Sequence, residues 1–112
     1  MGIKMIKCLL LWICLSPCWS FHLWKAYDLF QAKHFGEAQA LFNSNEWKGV
    51  AAYRNKDYAH AVQYLSQVQN TEAYYNLGNS YAHLGQLEAA IKAYKNAILI
   101  DPQHVDAANN LQ

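Results

Sequence analysis

The residues able to do chemistry in this chain are scattered, and their spacing excludes most reactions they could support. Five histidines, His22, His34, His60, His83 and His104, stand apart with no pair at i, i+3 or i, i+4, so no two share a helix face as metal ligands do. Cys8, Cys14 and Cys18 all precede Trp19, with neither a Cys-x-x-Cys pair nor a histidine beside them at zinc-ligand spacing. There is no glycine-rich phosphate loop, no Gly-x-Ser-x-Gly elbow and no His-Glu-x-x-His pair. Catalysis, a metal and a cofactor are therefore not expected. Tyrosines, asparagines and a single arginine spread through the rest of the chain offer ring faces and hydrogen-bond donors and acceptors, the chemistry of recognition.

The elements that must position these residues are legible around Thr71 to His104. Tyr74, Leu77, Tyr81 and Leu84 recur at steps of three, four and three, the period of one helix face; Leu87, Ile91, Tyr94 and Ile98 do the same for a second helix. Gly85 supplies a left-handed residue between them, and Asp101-Pro102 reads as a helix N-cap followed by proline at the first position of a further helix. Small residues, Gly78 on the first helix and Ala90 and Ala97 on the second, fall where two helices must approach closely.

Tyr74, Leu77, Gly78, Tyr81, Ala90, Tyr94, Ala97 and Pro102 occupy the signature positions of a 34-residue repeat, and the segment resembles the tetratricopeptide repeat (TPR). The resemblance implies a stack of antiparallel helix hairpins in which Tyr74, Tyr81 and Tyr94 point between helices as core. Residues on first helices that face neither partner helix nor next repeat line a concave groove: Tyr75, Asn79, Ala82 and His83, with Glu46, Val50, Tyr53 and Arg54 from the hairpin before and Asn109 from the fragment after. Some TPR domains clamp a C-terminal carboxylate with lysines and asparagines. Here Asn79 matches one asparagine, but Tyr75 stands where the first lysine would be, so a carboxylate clamp is not expected.

Weaker copies precede this repeat. Phe21 to Phe42 carries Leu29 and Phe30 on a first helix and Ala38 to Phe42 on a second; Trp47 to Tyr53 opens another pair, completed by Ala61, Tyr64, Leu65 and Val68. Ala38, Ala61 and Ala90 mark the phase, at spacings of 23 and 29, so the early helices should be shorter than those of a full repeat. After Pro102, Val105 to Leu111 begins one more first helix, expected to pack Ala108 and Leu111 back on the helix of Tyr94 and to turn Asp106, Asn109, Asn110 and Gln112 to water.

Composition sets further bounds. A chain of 112 residues that is 54% hydrophobic can bury a core, and a formal charge of +1 gives no long-range attraction for nucleic acid. The opening stretch has Lys4 and Lys7, then an unbroken apolar run from Cys8 to Leu15, then Ser16 and Pro17, with small residues at Cys18 and Ser20, the −3 and −1 sites of a cleavage. That is the layout of a secretory signal cut after Ser20. The uncharged run continues to Trp24, 17 residues in all, the low end of what crosses a bilayer core of about 30 Å, so an uncut anchor is the other reading of residues 1–20. Either way Lys4 and Lys7 stay on the cytoplasmic side and residues 21–112 lie outside it.

Trp47, Lys48, Gly49, Ala51, Tyr53 and Arg54, followed by Tyr75, Asn76, Gly78 and Asn79, carry a narrower likeness. From Trp24 to about Leu111 the chain resembles the C-terminal TPR segment of the aerotolerance-operon (Bat) proteins, in which a von Willebrand factor A domain and a membrane helix come first. The adhesion motif of that domain is absent here, so its metal is not carried over. The resemblance implies an exported or membrane-tethered repeat domain, in the periplasm or on the outer face of the inner membrane, with a von Willebrand factor A-domain membrane protein as partner. The expectation is an all-α, antiparallel TPR hairpin stack, a short right-handed superhelix of about two and a half repeats. It would act as a non-catalytic adaptor through Tyr53, Arg54, Tyr75, Asn76, Asn79 and His83, or as a self-assembling module that stacks through its incomplete last repeat.

Overall fold

The computed structural model describes residues 20–112. The signal or anchor read over residues 1–20 lies outside them except for Ser20, as do the three cysteines. Among the described residues every regular element is an α-helix, and no helix is long and apolar enough to cross a membrane. In order they are α1 (20–31), α2 (Phe35–Leu41), α3 (Asn45–Arg54), α4 (Tyr58–Leu65), α5 (Thr71–His83), α6 (Leu87–Ile100) and α7 (Val105–Asn110). Consecutive helices pair as hairpins, α3–α4 and α5–α6 directly and α1–α2 through Ala26 packed with Ala38 and Phe42, each hairpin packed on the next, with α7 against α6. This is the all-α TPR-type hairpin stack expected from the spacing.

Local chemistry fixes where each helix begins. Ser44 Oγ accepts from Trp47 N at the start of α3, and Asn70 Oδ1 from Ala73 N at the start of α5. At α7 the His104 ring does the same through Nδ1, accepting from Ala107 N. Each cap satisfies a backbone donor that the first helical turn leaves open.

The three hairpin turns are copies of one another. Lys33, Lys56 and Gly85 adopt φ of 64°, 61° and 74°. Each donates its N–H to the carbonyl three residues back, and the next residue (His34, Asp57 or Gln86) donates to the carbonyl five back. That is a Schellman ending, closing the last carbonyls of the first helix. The left-handed residues stand 23 and 29 positions apart, the same spacings as Ala38, Ala61 and Ala90, which are all buried. Gly85 enters that region freely, whereas a side chain there costs on the order of 1 kcal/mol.

Inside the second and third hairpins a small residue faces a large one. A Cβ added to Gly78 would lie 2.5 Å from Tyr94 Cε1, and one on Gly49 would overlap Leu65 Cγ. The glycines let α5 and α3 approach their partners until Tyr94 and Leu65 fill the gap. Ala52, Ala61, Leu65, Ala73, Leu77 and Ala93 then form one core running from hairpin 2 into hairpin 3, with Tyr74 and Tyr81 packed against it. Of the early helices α2, α3 and α4 are short, with 7, 10 and 8 residues against 13 and 14 in α5 and α6, whereas α1 over 20–31 is nearly as long as α5.

One periodic face is open, and two expectations are corrected. Leu84, Leu87 and Ile91 follow the helical period but are exposed. Tyr58 and Val62, the counterparts of Leu87 and Ile91, are half-buried beneath hairpin 3, whereas Leu84 holds a turn position that is exposed in every hairpin, as at Ala32 and Asn55. Asp101-Pro102 does not start α7: Asp101 ends α6, its carboxylate accepts from Gln103 N, and the chain turns before His104 caps the helix three residues later than read. Within α7 it is Ala107 rather than Ala108 that is fully buried, and Asn110 bends back to bond Asn79 instead of facing water alone.

Gly78→Ala is expected to destabilise the fold by about 2 kcal/mol through overpacking against Tyr94. Gly85→Ala, whose Cβ would meet nothing within 4 Å, should cost about 1 kcal/mol from backbone conformation alone. Urea unfolding followed by circular dichroism ranks the two. A smaller loss for Gly78→Ala than for Gly85→Ala would remove the close approach from its place in the fold.

Candidate functional site

Helices α3 and α5, the first helices of hairpins 2 and 3, turn one face to a shared concavity of ≈ 400 Å³ lined by Tyr53, Tyr75, Asn79, Ala82 and His83. Four of the six residues expected from sequence are thus brought together. Arg54 is exposed at the end of α3, and Asn76 is half-buried; neither lines this concavity. The Asn76 carbonyl accepts from the hydroxyl of the buried Ser80. In repeat phase Asn76 corresponds to Trp47, which packs on the preceding hairpin, so its helix face points to the inter-hairpin joint.

The rings around the concavity hold each other. His83 stacks flat on Tyr58, centroids 4.2 Å apart and planes within 4°, and lies 6.2 Å from the Tyr53 ring. Tyr75 sits 6.3 Å from Tyr94 and 4.9 Å from the His104 ring. Because His104 Nδ1 accepts the cap bond from Ala107 N, its Nε2 carries the proton and donates to Glu72 Oε1 at 3.1 Å. That bond ties α7 to α5 and fixes the ring against which Tyr75 rests.

Asn79 is the centre of the polar network. Its Oδ1 accepts from the Tyr94 hydroxyl at 2.6 Å and from Asn110 Nδ2 at 3.0 Å. Both lone pairs of the side-chain carbonyl are therefore spent within the fold, and Asn79 as much holds α6 and α7 to α5 as it faces the groove. Burial pushes the Tyr53 hydroxyl pKa up, the Tyr58 and Tyr75 hydroxyls add to the rise, and Asn79 and Arg54 offset part of it. Burial likewise raises Tyr94, against the opposing effect of Asn110.

Of the other residues assigned to the groove, Glu46 reaches instead to the joint between hairpins, its carboxylate accepting from Asn70 Nδ2 at 3.1 Å. Asn109 is exposed, and its neighbour Asn110 makes the contact. Sequence reasoning missed Tyr58, His104 and Asn110. The first had a signal in the turn Asn55-Lys56-Asp57 just before it. The other two depended on where α7 starts, which the Asp101-Pro102 pair obscured. Among the described residues no group of three or more His, Cys, Asp or Glu is placed to hold a metal ion. The arrangement can stack, accept and donate hydrogen bonds, and shield a short length of chain from water.

Residues 71–104, from the start of α5 to the cap of α7, match the family model described as tetratricopeptide repeat. No curated protein matches the chain.

Tyr94→Phe deletes the bond to Asn79 and is expected to lower stability by about 1 kcal/mol. Raised tyrosine pKa values mean that the native chain keeps protons that the unfolded chain loses above about pH 10, so stability should be full below that pH and fall as pH rises past it. Urea unfolding at about pH 8 and about pH 11 should show that fall, shallower in Tyr94→Phe. A pH dependence identical in the variant would sink the assignment to Tyr94.

Proposed function

We propose that this chain is a non-catalytic adaptor that holds an extended segment or helix of another protein in the groove of α3 and α5. The observation that carries this is the concavity itself, where Tyr53, Tyr75 and His83 present aromatic surface beside a polar network already satisfied within the fold. With Asn79 Oδ1 engaged, a ligand would be held chiefly by ring faces, with Arg54 at the rim to meet a carboxylate or a backbone carbonyl. The TPR match over residues 71–104 supports a protein as the partner.

The working context we infer is extracytoplasmic. Lys4, Lys7 and the apolar run after them support export or tethering, and the Trp47–Arg54 and Tyr75–Asn79 runs support a von Willebrand factor A-domain membrane protein as the partner. A groove spanning so few repeats binds modestly, and confinement to one membrane surface would raise the effective concentration of both proteins.

Ala82 offers a test, being exposed, small and in the lining of the concavity. Because it also borders the concavity of Leu87, Ile91 and Leu111, His83→Ala, at a residue that lines only the groove, is run beside it with the same expected loss. Ala82→Arg fills the groove while removing no contact of the core. Crosslinking and pull-down from membranes should lose, in this variant, partners captured by the wild type, with helicity unchanged by circular dichroism. Partners retained at wild-type yield would move binding off the groove.

A second reading, self-stacking through the last repeat, is favoured by one observation. Tyr58 and Val62 on α4 are half-buried beneath hairpin 3, whereas their counterparts 29 residues on, Leu87 and Ile91, are 63% and 42% exposed. They border a concavity of ≈ 440 Å³ with Leu111. Under this reading sedimentation velocity shows a concentration-dependent oligomer that Ile91→Glu abolishes. A strict monomer at all concentrations would exclude it.

A further inference from the structure

Helix α1 differs from α3 and α5 at two positions that the repeat phase makes comparable. The first is Trp24, which stands 23 residues before Trp47, as Lys33 stands before Lys56 and Ala38 before Ala61. Trp47 is caged by the preceding hairpin: its ring lies 4.9 Å from Tyr27, 5.8 Å from Phe30 and 5.3 Å from Phe42, stacked on the last. Trp24 is 64% exposed, and Phe21 beside it is 59% exposed.

The second position asks whether another hairpin, from a second copy of this chain, could cover that face. Ala51 and its counterpart Ser80 are both fully buried, Ala51 in the cluster that joins hairpin 2 to hairpin 1. On α1 the same place belongs to Asp28, an exposed carboxylate. Stacking a hairpin there would bury a charge where the interior of the array buries a methyl or a hydroxyl, a heavy cost without a partner cation. The α1 face therefore closes the array, and Phe21 and Trp24 are exposed on a face unsuited to another repeat.

What the face does fit is set by the direction in which its polarity changes. Phe21, Trp24, Asp28 and Gln31 follow at steps of three, four and three, one face of α1, and all four are exposed. A helix docked lengthwise on a protein would keep that stripe apolar throughout. Here it is aromatic for its first turn and polar from then on, so the boundary runs across the helix axis. On the N-terminal side of the boundary the sequence is uncharged back to Cys8; on the other side come Lys25 and Asp28. Aromatic residues at the end of an uncharged run, followed at once by exposed charge, are the chemistry of the bilayer's interfacial zone.

We propose that Phe21 and Trp24 seat in the boundary between headgroups and acyl chains of a bilayer, with Lys25 among the headgroups and Asp28 in water. This rests on the reading that the N-terminal run holds the chain at a membrane, and it is independent of what the groove binds. The seat would fix the first hairpin at the membrane surface, with hairpins 2 and 3 following it in the stack.

The test reconstitutes the full chain in vesicles of dioleoylphosphatidylcholine and dioleoylphosphatidylglycerol, with part of the former replaced by phosphatidylcholine brominated near the headgroup end of its acyl chains. Emission of the wild type minus that of Trp24→Phe isolates Trp24; the corresponding difference for Trp47→Phe reports the caged ring. Flotation first shows whether the chain is on the vesicles. The expected result is flotation with a Trp24 difference emission cut about twofold or more by the brominated lipid, while the Trp47 difference is little changed. Flotation with Trp24 unquenched by bromine but open to aqueous iodide would overturn the seat and leave the membrane reading standing. Flotation with Trp24 shielded from both quenchers would also overturn it, assigning the face to residues 1–19 or to a second copy. A chain that does not float would remove both readings, and the groove would be unaffected.

Discussion

The closeness of paired helices, permitted by glycine on one side and filled by a large side chain from the other, is the constraint on which this fold depends. Gly78 against Tyr94 and Gly49 against Leu65 are the same contact made twice, sixteen residues apart along the chain in each case. Removing the Cβ brings the helices together, and the ring or the isobutyl group then occupies space that no solvent reaches. Most of the other buried side chains are alanines, which bury little area each. A core so rich in small residues is cohesive only if the backbones approach closely, so the glycine contacts set the distance at which every other contact operates.

That closeness also decides what the groove can offer. Tyr94 enters against Gly78 with its ring buried, and its hydroxyl donates to Asn79, the next residue along α5. The residue that fills the core thus reaches the lining of the concavity with its polar end, an amphipathic use of tyrosine that phenylalanine could not make. Asn79 passes the connection to Asn110, and His104 passes another through Glu72, so the lone α7 is held by polar bonds as well as by Ala107 and Leu111. Rings that line the groove are braced by rings and amides from neighbouring elements, and such bracing would lower the ordering cost of the binding proposed for it.

Much of this was legible from residue types and spacing, and the losses have physical causes. The α5–α6 hairpin follows from its helical period, its Gly85 turn and its small residues, because those features are local and agree with one another. The four lining residues Tyr53, Tyr75, Asn79 and His83 follow from the same phase. Lys33 and Lys56 in left-handed turns were not legible, since lysine carries no preference for that conformation; only the repetition of the turn forces it. Leu87 and Ile91 share a helical face with the buried Tyr94 yet are exposed, because periodicity reports which residues share a face and is silent on whether anything lies opposite. Asp101-Pro102 failed as a helix start because the same pair also suits a tight turn, and the Asp101 side chain bonds Gln103 N in that turn.

Repetition gives this small array an internal standard for exposure. An exposed leucine or tryptophan on an ordinary surface carries little information. Here the same position in an adjacent repeat states what burial the fold provides when a neighbour is present. By that standard the two ends of the stack are unlike. At the α6 end Leu87 and Ile91 retain the apolar character of their covered counterparts, and nothing charged intrudes among the residues bordering them with Leu111. At the α1 end a carboxylate replaces the buried small residue while the tryptophan is kept. A face that is only a solvated cap has no use for Trp24, and a face that receives another hairpin has no place for Asp28. The two residues together fit a neighbour that is apolar on one side of a plane and aqueous on the other, and that fit is the ground on which a lipid seat is proposed for the end of the array nearest the apolar N-terminal run.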